Sequence, residues 1–376
     1  MVFLMTDKLF VFNCSSNVVG GAVQNSVNFI KQIYTRNEQE QWYFILSEVV
    51  FRQVGSFVST DRHSVFSSPA KSFLSRVKIK LLVNKLNPFL VYTSAGPSYI
   101  NFNCTHIMGC SNPYVLGPSR ASLSILGGIY SQVKRRLHSL YQLYHFRKSD
   151  YWIVQTEVSL NQLIAKGFPE KNIFVVYNSV SLDFLTKKNQ FEDLSNKKDI
   201  KVLVPSAYYP HKNLSIIPKI LNKLNKPGAT KFSFFLTVEP SAYEYLIQDP
   251  EFNQVQQHLT NLGPYKHKDA VDLYCSHDVI FLPSLLEVFS TSYIESMAIK
   301  KPLILPSLEF TQGICSNYPL YYDTDSIDSC IESFNQIGNY YKFSEKYVLV
   351  SETLITKYGS QNERYTKISN ILFNLK

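Results

Sequence analysis

Two carboxylates at a fixed spacing give the first handle on chemistry in this chain of 376 residues. Glu287 and Glu295 lie in the stretch Asp278-Val-Ile-Phe-Leu-Pro-Ser-Leu-Leu-Glu287-Val-Phe-Ser-Thr-Ser-Tyr-Ile-Glu295-Ser-Met-Ala298. The pattern reads as an apolar strand ending at Pro283, a short loop, and a helix opening near Ser290–Ser292. Such a turn aims backbone N–H groups and the positive end of the helix dipole beyond the strand, which suits a diphosphate. Carboxylates beside phosphate repel it unless each holds hydroxyl groups, as sugars supply. Ser292-x-x-Glu295 is equally a capping box that needs no ligand, and Glu287 reads equally as a solvated loop carboxylate.

Other candidates lie outside that stretch. Lys212, in Pro210-His211-Lys212-Asn213, sits between an apolar strand and a helical pattern, with Asn213 as the expected cap and Pro218 as a kink near the helix start. His106 follows the strand-like neighbourhood Tyr99–Cys104, where a lone histidine is either structural or a site residue. Gly20-Gly21 would let backbone approach a ligand closely. Asp323-Thr324-Asp325 imitates a metal-binding pair of aspartates, but Asp325 or Ser326 is placed to cap a helix through Ile327, Ile331 and Phe334, which argues against a metal site there. No Gly-x-Gly-x-x-Gly occurs, which argues against a dinucleotide oxidoreductase, and no cofactor is expected.

The elements that must hold these residues alternate. Apolar runs of strand length at Leu9–Cys14, Tyr43–Leu46, Pro88–Thr93, Tyr151–Gln155 and Ile173–Tyr177 are interleaved with helical spacing, such as the helix expected from Val23. The polar stretch Leu182–Lys201 reads as a linker, after which alternation resumes at Val202–Pro205. The expected class is α/β: two Rossmann-like, doubly wound domains facing across a cleft. Residues 1–182 are expected to form the first domain and 183–355 the second. Residues 356–376 are a final helix packing back on the first domain.

Composition fits that size, with 45% hydrophobic and 18% charged residues. Six scattered cysteines read as reduced, and neither a signal peptide nor a membrane span is evident, so a cytoplasmic protein is expected. The net charge of +9 is uneven: residues 1–190 hold 20 Lys/Arg against 9 Asp/Glu. No acidic residue lies between Asp61 and Asp150, where 12 are Lys or Arg. The basic stretch 62–149 therefore predicts an anionic partner surface. Lys134-Arg135-Arg136 amid Leu, Ile and Tyr suits a basic amphipathic helix on anionic lipid, at the inner face of a cell membrane. No nucleic-acid-binding signature accompanies it, and a solvated basic face is the plainer alternative.

The stretch around Glu287 and Glu295 resembles the signature of retaining glycosyltransferase family 4, of the GT-B class (glycosyl transferases group 1). Leu262-Gly263-Pro264-Tyr265, Val176-Tyr177-Asn178-Ser179-Val180 and Asn13–Ile30 extend the resemblance. It implies that Glu295 holds the ribose hydroxyls of a nucleoside diphosphate sugar and that Glu287 contacts the transferred sugar as a catalytic residue. By the same resemblance, backbone N–H groups of Phe289, Ser290 and Thr291 would bind the diphosphate, and Lys212 would neutralise the leaving group. The resemblance also implies that His106 would contact the donor sugar and that Gly20 and Gly21 would approach the diphosphate or acceptor. Where the family carries an arginine, this chain has Ala207; where it prefers glycines, it has Val288 and Ser290. The expected function is metal-independent transfer of a hexose or N-acetylhexosamine, with retention, to a lipid-linked glycan acceptor in bacterial surface polysaccharide synthesis. A nucleotide-sugar epimerase of the same fold, and a basic binding protein without catalysis, are the alternatives.

Overall fold

The computed structural model describes residues 8–375. They divide into two compact units, one of 8–117, 133–178 and 361–375, the other of 118–132 and 179–360. Each unit is built on one parallel sheet.

In the first unit seven strands run β1 (Phe10–Cys14), β2 (Trp42–Leu46), β3 (His63–Val65), β4 (Leu90–Thr93), β5 (Thr105–Cys110), β6 (Tyr151–Val154) and β7 (Ile173–Val175). Their order across the sheet is β3-β2-β1-β4-β5-β6-β7. Strand β1 is buried at every position, as expected where helices cover both faces. The order reverses between β1 and β4, which places the sheet's crevice beyond the carboxyl ends of those two strands. The helix following β1 spans Gly20–Thr35 and presents Val23, Val27, Phe29, Ile30 and Ile33 inward. It therefore starts three residues before the expected Val23, at the glycine pair itself.

Helix Gln361–Asn374 closes this unit. Tyr365, Ile368 and Leu372 join the same core as Phe10, Phe12 and Phe29, and the Tyr365 and Phe29 ring centroids lie 5.0 Å apart. The chain passes between the units at Ser360–Gln361, because helix Ser344–Tyr358 belongs to the second unit. Residues 118–132, read from sequence as part of the first domain, cluster with the second unit instead.

The second sheet has six strands: β8 (Asp199–Val204), β9 (Lys231–Leu236), β10 (Leu259–Asn261), β11 (Val279–Phe281), β12 (Leu303–Pro306) and β13 (Leu320–Tyr322), in the order β10-β9-β8-β11-β12-β13. Here the reversal falls between β8 and β11. Phe234, Phe281 and Phe334 pack ring against ring beneath it, with centroids 5.3 to 6.0 Å apart. Strands β3, β10 and β13 have three residues each, too short to show a period in the sequence. The expected strand at Tyr99–Cys104 is irregular chain, and the strand lies at Thr105–Cys110 with His106 inside it.

Candidate functional site

The loops after β8 and β11 flank the switch point of the second sheet, and they carry Lys212 and Glu287. After β8 the chain runs to a single 3₁₀ turn, Pro210–Lys212, followed by Asn213 in the left-handed region at φ 53°. That conformation, which asparagine tolerates better than most residues, turns the chain before the next element. Asn213 makes no side-chain cap bond, contrary to expectation, and a second 3₁₀ turn, Leu214–Ile216, intervenes before helix Ile217–Leu224. Pro218 sits in the first turn of that helix, where its missing N–H costs nothing, so it starts the helix rather than kinking it.

The two loops are tied together. Leu285 N–H donates to the His211 carbonyl at 2.8 Å, and Lys212 Nζ donates to Glu287 Oε1 as an ion pair. Both side chains are largely buried, so this is a partly desolvated pair and stronger than an exposed one. Ala207 is exposed in the same loop and adds no charge.

Beyond Glu287 the chain enters helix Thr291–Ala298, whose N-cap is Ser290 in extended conformation without a side-chain cap bond. Ser292 lies inside the helix, so the capping box Ser292-x-x-Glu295 does not form. No hydrogen bond between described residues uses the N–H groups of Phe289, Ser290 or Thr291. These groups and the helix dipole make an anion-accepting end beside the Lys212 ammonium. Neither Val288 nor Ser290 has positive φ, so a glycine's special freedom is not needed at either. The Val288 side chain is buried, and Phe289 packs edge-on against Tyr358 at 5.3 Å.

Glu295 is almost wholly buried one turn into the helix. Tyr274 Oη donates to Glu295 Oε2 at 3.3 Å, and the Thr291 hydroxyl also supports the carboxylate. Burial outweighs both bonds and pushes the Glu295 carboxyl up to about 7. Tyr265 lies beside this pair, and its hydroxyl is pushed up to about 12 by burial and the Glu295 charge. The Tyr274–Glu295 bond thus ties helix Ala270–Cys275 to the helix after β11. Tyr274 is the residue that sequence reasoning missed, since a tyrosine 21 positions before its partner leaves no periodic signal.

The first-unit candidates are differently placed. His106 is fully buried in β5, edge-on to Phe102 at 4.9 Å. Its Nε2 lies 2.9 Å from Thr93 Oγ1, which accepts from Asn13 Nδ2 at 3.3 Å and so keeps its own proton for the imidazole. Nδ1 has no hydrogen-bond partner, and burial lowers the ring's pKa to about 3. His106 is therefore a neutral imidazole at working pH and carries no exchangeable positive charge. Gly20 and Gly21 open the helix Gly20–Thr35, whose N-cap Val19 offers no side-chain bond. Gly20 has φ +64°, and a Cβ at either glycine would meet nothing within 4 Å.

Asp323, Thr324 and Asp325 form a turn in which Asp325 N–H donates to Asp323 Oδ1 at 3.0 Å, and Ser326 caps helix Ile327–Asn335. Among the described residues no three His, Cys, Asp or Glu side chains gather as metal ligands, and no helix is long and apolar enough to cross a membrane.

Two parallel α/β units, one with an open helix start at its switch point, have the GT-B class of architecture. Solved structures share it: a glycosyltransferase from Rickettsia africae superposes with a TM-score of 0.71 at 15% identity, over 97% of this chain and 98% of that one. The Anabaena protein HepE, solved with UDP-glucose, gives 0.70 at 14% identity over 98% and 100%. Residues 186–346 match the family described as glycosyl transferases group 1. An uncharacterised glycosyltransferase of Methanocaldococcus jannaschii is 22% identical over 224 residues, covering 56% of this chain and 55% of the relative. The O-antigen chain mannosyltransferase RfbU of Salmonella typhimurium is 25% identical over 192 residues, covering 49% and 51%. The chain spans about half the length of these curated relatives.

Proposed function

We propose that the chain is a retaining glycosyltransferase of family 4, moving a hexose or N-acetylhexosamine from a nucleoside diphosphate sugar to a lipid-linked glycan acceptor in surface polysaccharide synthesis. The observation that carries this reading is the Lys212–Glu287 pair beside the open helix start at Thr291. A diphosphate at that helix end takes over the Lys212 ammonium, and Glu287 is released toward the hydroxyls of the sugar attached to it. Glu295, held by Tyr274, accepts from the ribose hydroxyls. The developing negative charge on the leaving diphosphate meets a cation and oriented N–H groups that need little reorganisation. No side chain is set up as a covalent nucleophile, so the leaving phosphate takes the acceptor proton on the face it departs from, which retains configuration.

The UDP-glucose bound to HepE and the mannosyltransferase name of RfbU support a hexose donor. An acceptor held in a bilayer would also give the basic stretch 62–149 an anionic partner. The test is turnover of labelled UDP-, GDP- and ADP-sugars with a polyprenyl diphosphate-linked acceptor, followed by assignment of the product's anomeric configuration. Transfer with retention is expected. An inverted product would overturn the mechanism, and release of a new sugar nucleotide without acceptor would mean epimerisation.

A further inference from the structure

Helices Phe73–Leu86 and Ile129–Phe146 carry their apolar residues outward. On the first, Phe73, Leu74, Val77 and Leu81 are exposed, with Phe73 at 76% and Leu81 at 62%. They recur at spacings that put them on one helical face. On the second, Val133, Leu137, Leu140 and Tyr144 follow at spacings of four, three and four, with Leu137 at 62% and Leu140 and Tyr144 at 60%. The exposure continues back to Ile129 and Tyr130 at the start of that helix.

The two helices touch within the first unit. Arg76 Nη1 donates to Tyr141 Oη at 3.1 Å, the Arg76 guanidinium lies 4.8 Å over the Tyr99 ring, and Tyr99 stacks on Tyr141 at 6.0 Å. The apolar residues are interleaved with exposed Lys78, Lys85, Lys134 and Arg136. The stretch containing both helices has no carboxylate.

We propose that these two helices form a single docking surface that inserts its apolar side chains into the interfacial region of an anionic lipid bilayer. Exposed leucines and phenylalanine on one face of a helix lose contact with water only by entering an apolar phase. The flanking lysines and arginines keep their charges at headgroup level, each attracted to anionic lipid. A second copy of this chain would bring the same acid-free positive surface against itself and be repelled. A nucleic acid would match the charge but offer the aliphatic stripe nothing, since its phosphate backbone is met by cations and polar groups. This docking does not depend on the sugar chemistry above, and it stands or falls by a different measurement.

The experiment is flotation of the full chain with vesicles of phosphatidylcholine alone and of phosphatidylcholine with about a third phosphatidylglycerol, at two salt concentrations. The chain should float with the anionic vesicles, less so at high salt, and not with the neutral ones. Combining Lys78→Gln, Lys134→Gln and Arg136→Gln should weaken partitioning on the order of a hundredfold. Combining Phe73→Ser, Leu81→Ser, Leu137→Ser and Tyr144→Ser should abolish flotation even at low salt. Both variants alter exposed side chains, so circular dichroism and nucleotide-sugar titration should be unchanged, which separates lost docking from lost folding. Three results would overturn the proposal. The serine variant could float like the parent, the parent could fail to float while sedimenting as a dimer that the serine variant dissociates, or the variants could lose affinity for a DNA duplex and not for vesicles.

Discussion

The same position in two sheets has been used in opposite ways. At the β1/β4 switch of the first unit, Asn13, Thr93 and the neighbouring His106 form a neutral hydrogen-bonded line that leaves His106 Nδ1 without a partner. At the β8/β11 switch of the second, Lys212 and Glu287 are charged and partly accessible, beside N–H groups used by no other described residue. A switch point supplies a crevice in either sheet, but only side chains that leave charge unspent can bind an anion there. The difference lies in where the polar groups sit: the second sheet's lie in the loops, at a 3₁₀ turn and a helix start, whereas the first unit's sit within the strands.

The comparison can be broken most directly at the lysine. Lys212→Ala should lower kcat by about 10²–10³-fold, the usual loss when a group stabilising transition-state charge is removed. Steady-state kinetics under saturating donor checks it, and an unchanged kcat would make the pair merely structural. The opposite signature is expected in the first unit. His106→Ala should cost about 2–3 kcal/mol of stability, for a cavity and a lost buried bond, with donor affinity unchanged. Thermal denaturation beside nucleotide titration separates the two.

Glu295 sharpens the contrast through pH. Its carboxyl is raised in the folded chain, so the ligand-free protein loses stability as pH rises from the ordinary carboxylate range through about 7, by no more than about 3 kcal/mol. Ribose hydroxyls donate to the ionised form, so donor affinity should rise over the upper part of that window. Glu295→Gln should flatten both profiles and weaken donor binding about tenfold at pH 8. The smallest effect concerns the glycine pair. Gly20→Ala should cost about 1 kcal/mol because its φ is positive, whereas Gly21→Ala should lie within about 0.5 kcal/mol of the parent. Chemical denaturation of the two variants measures the difference.

Much of the second unit was legible because its strand and helix signals flank the site closely. The apolar run into Pro283 and the helical spacing after Ser290 placed Glu287 in a loop and Glu295 one turn into a helix. Sequence could not exclude the capping box, since that depends on the helix starting at Thr291 rather than after Ser292. Nor could it show Lys212 against Glu287, because the two are 75 positions apart and meet only through the pairing of β8 with β11. His106 was ambiguous for a different reason: residue type alone does not settle burial, and its partner Thr93 on β4, with Asn13 on β1 behind it, is joined to it by sheet order alone. The basic charge of 62–149 was readable from composition, but the outward-turned apolar faces were not, because amphipathic spacing looks the same whichever face is packed.

Calorimetric titration of the ligand-free chain with UDP-, GDP- and ADP-sugars tests the central claim, that the second unit's switch point holds a nucleoside diphosphate. One nucleotide class should bind to the parent, more weakly to Glu295→Gln and to Lys212→Ala, and with unaltered affinity to His106→Ala. Absence of binding by every nucleotide, or equal binding by the parent and the Lys212→Ala and Glu295→Gln variants, would contradict it.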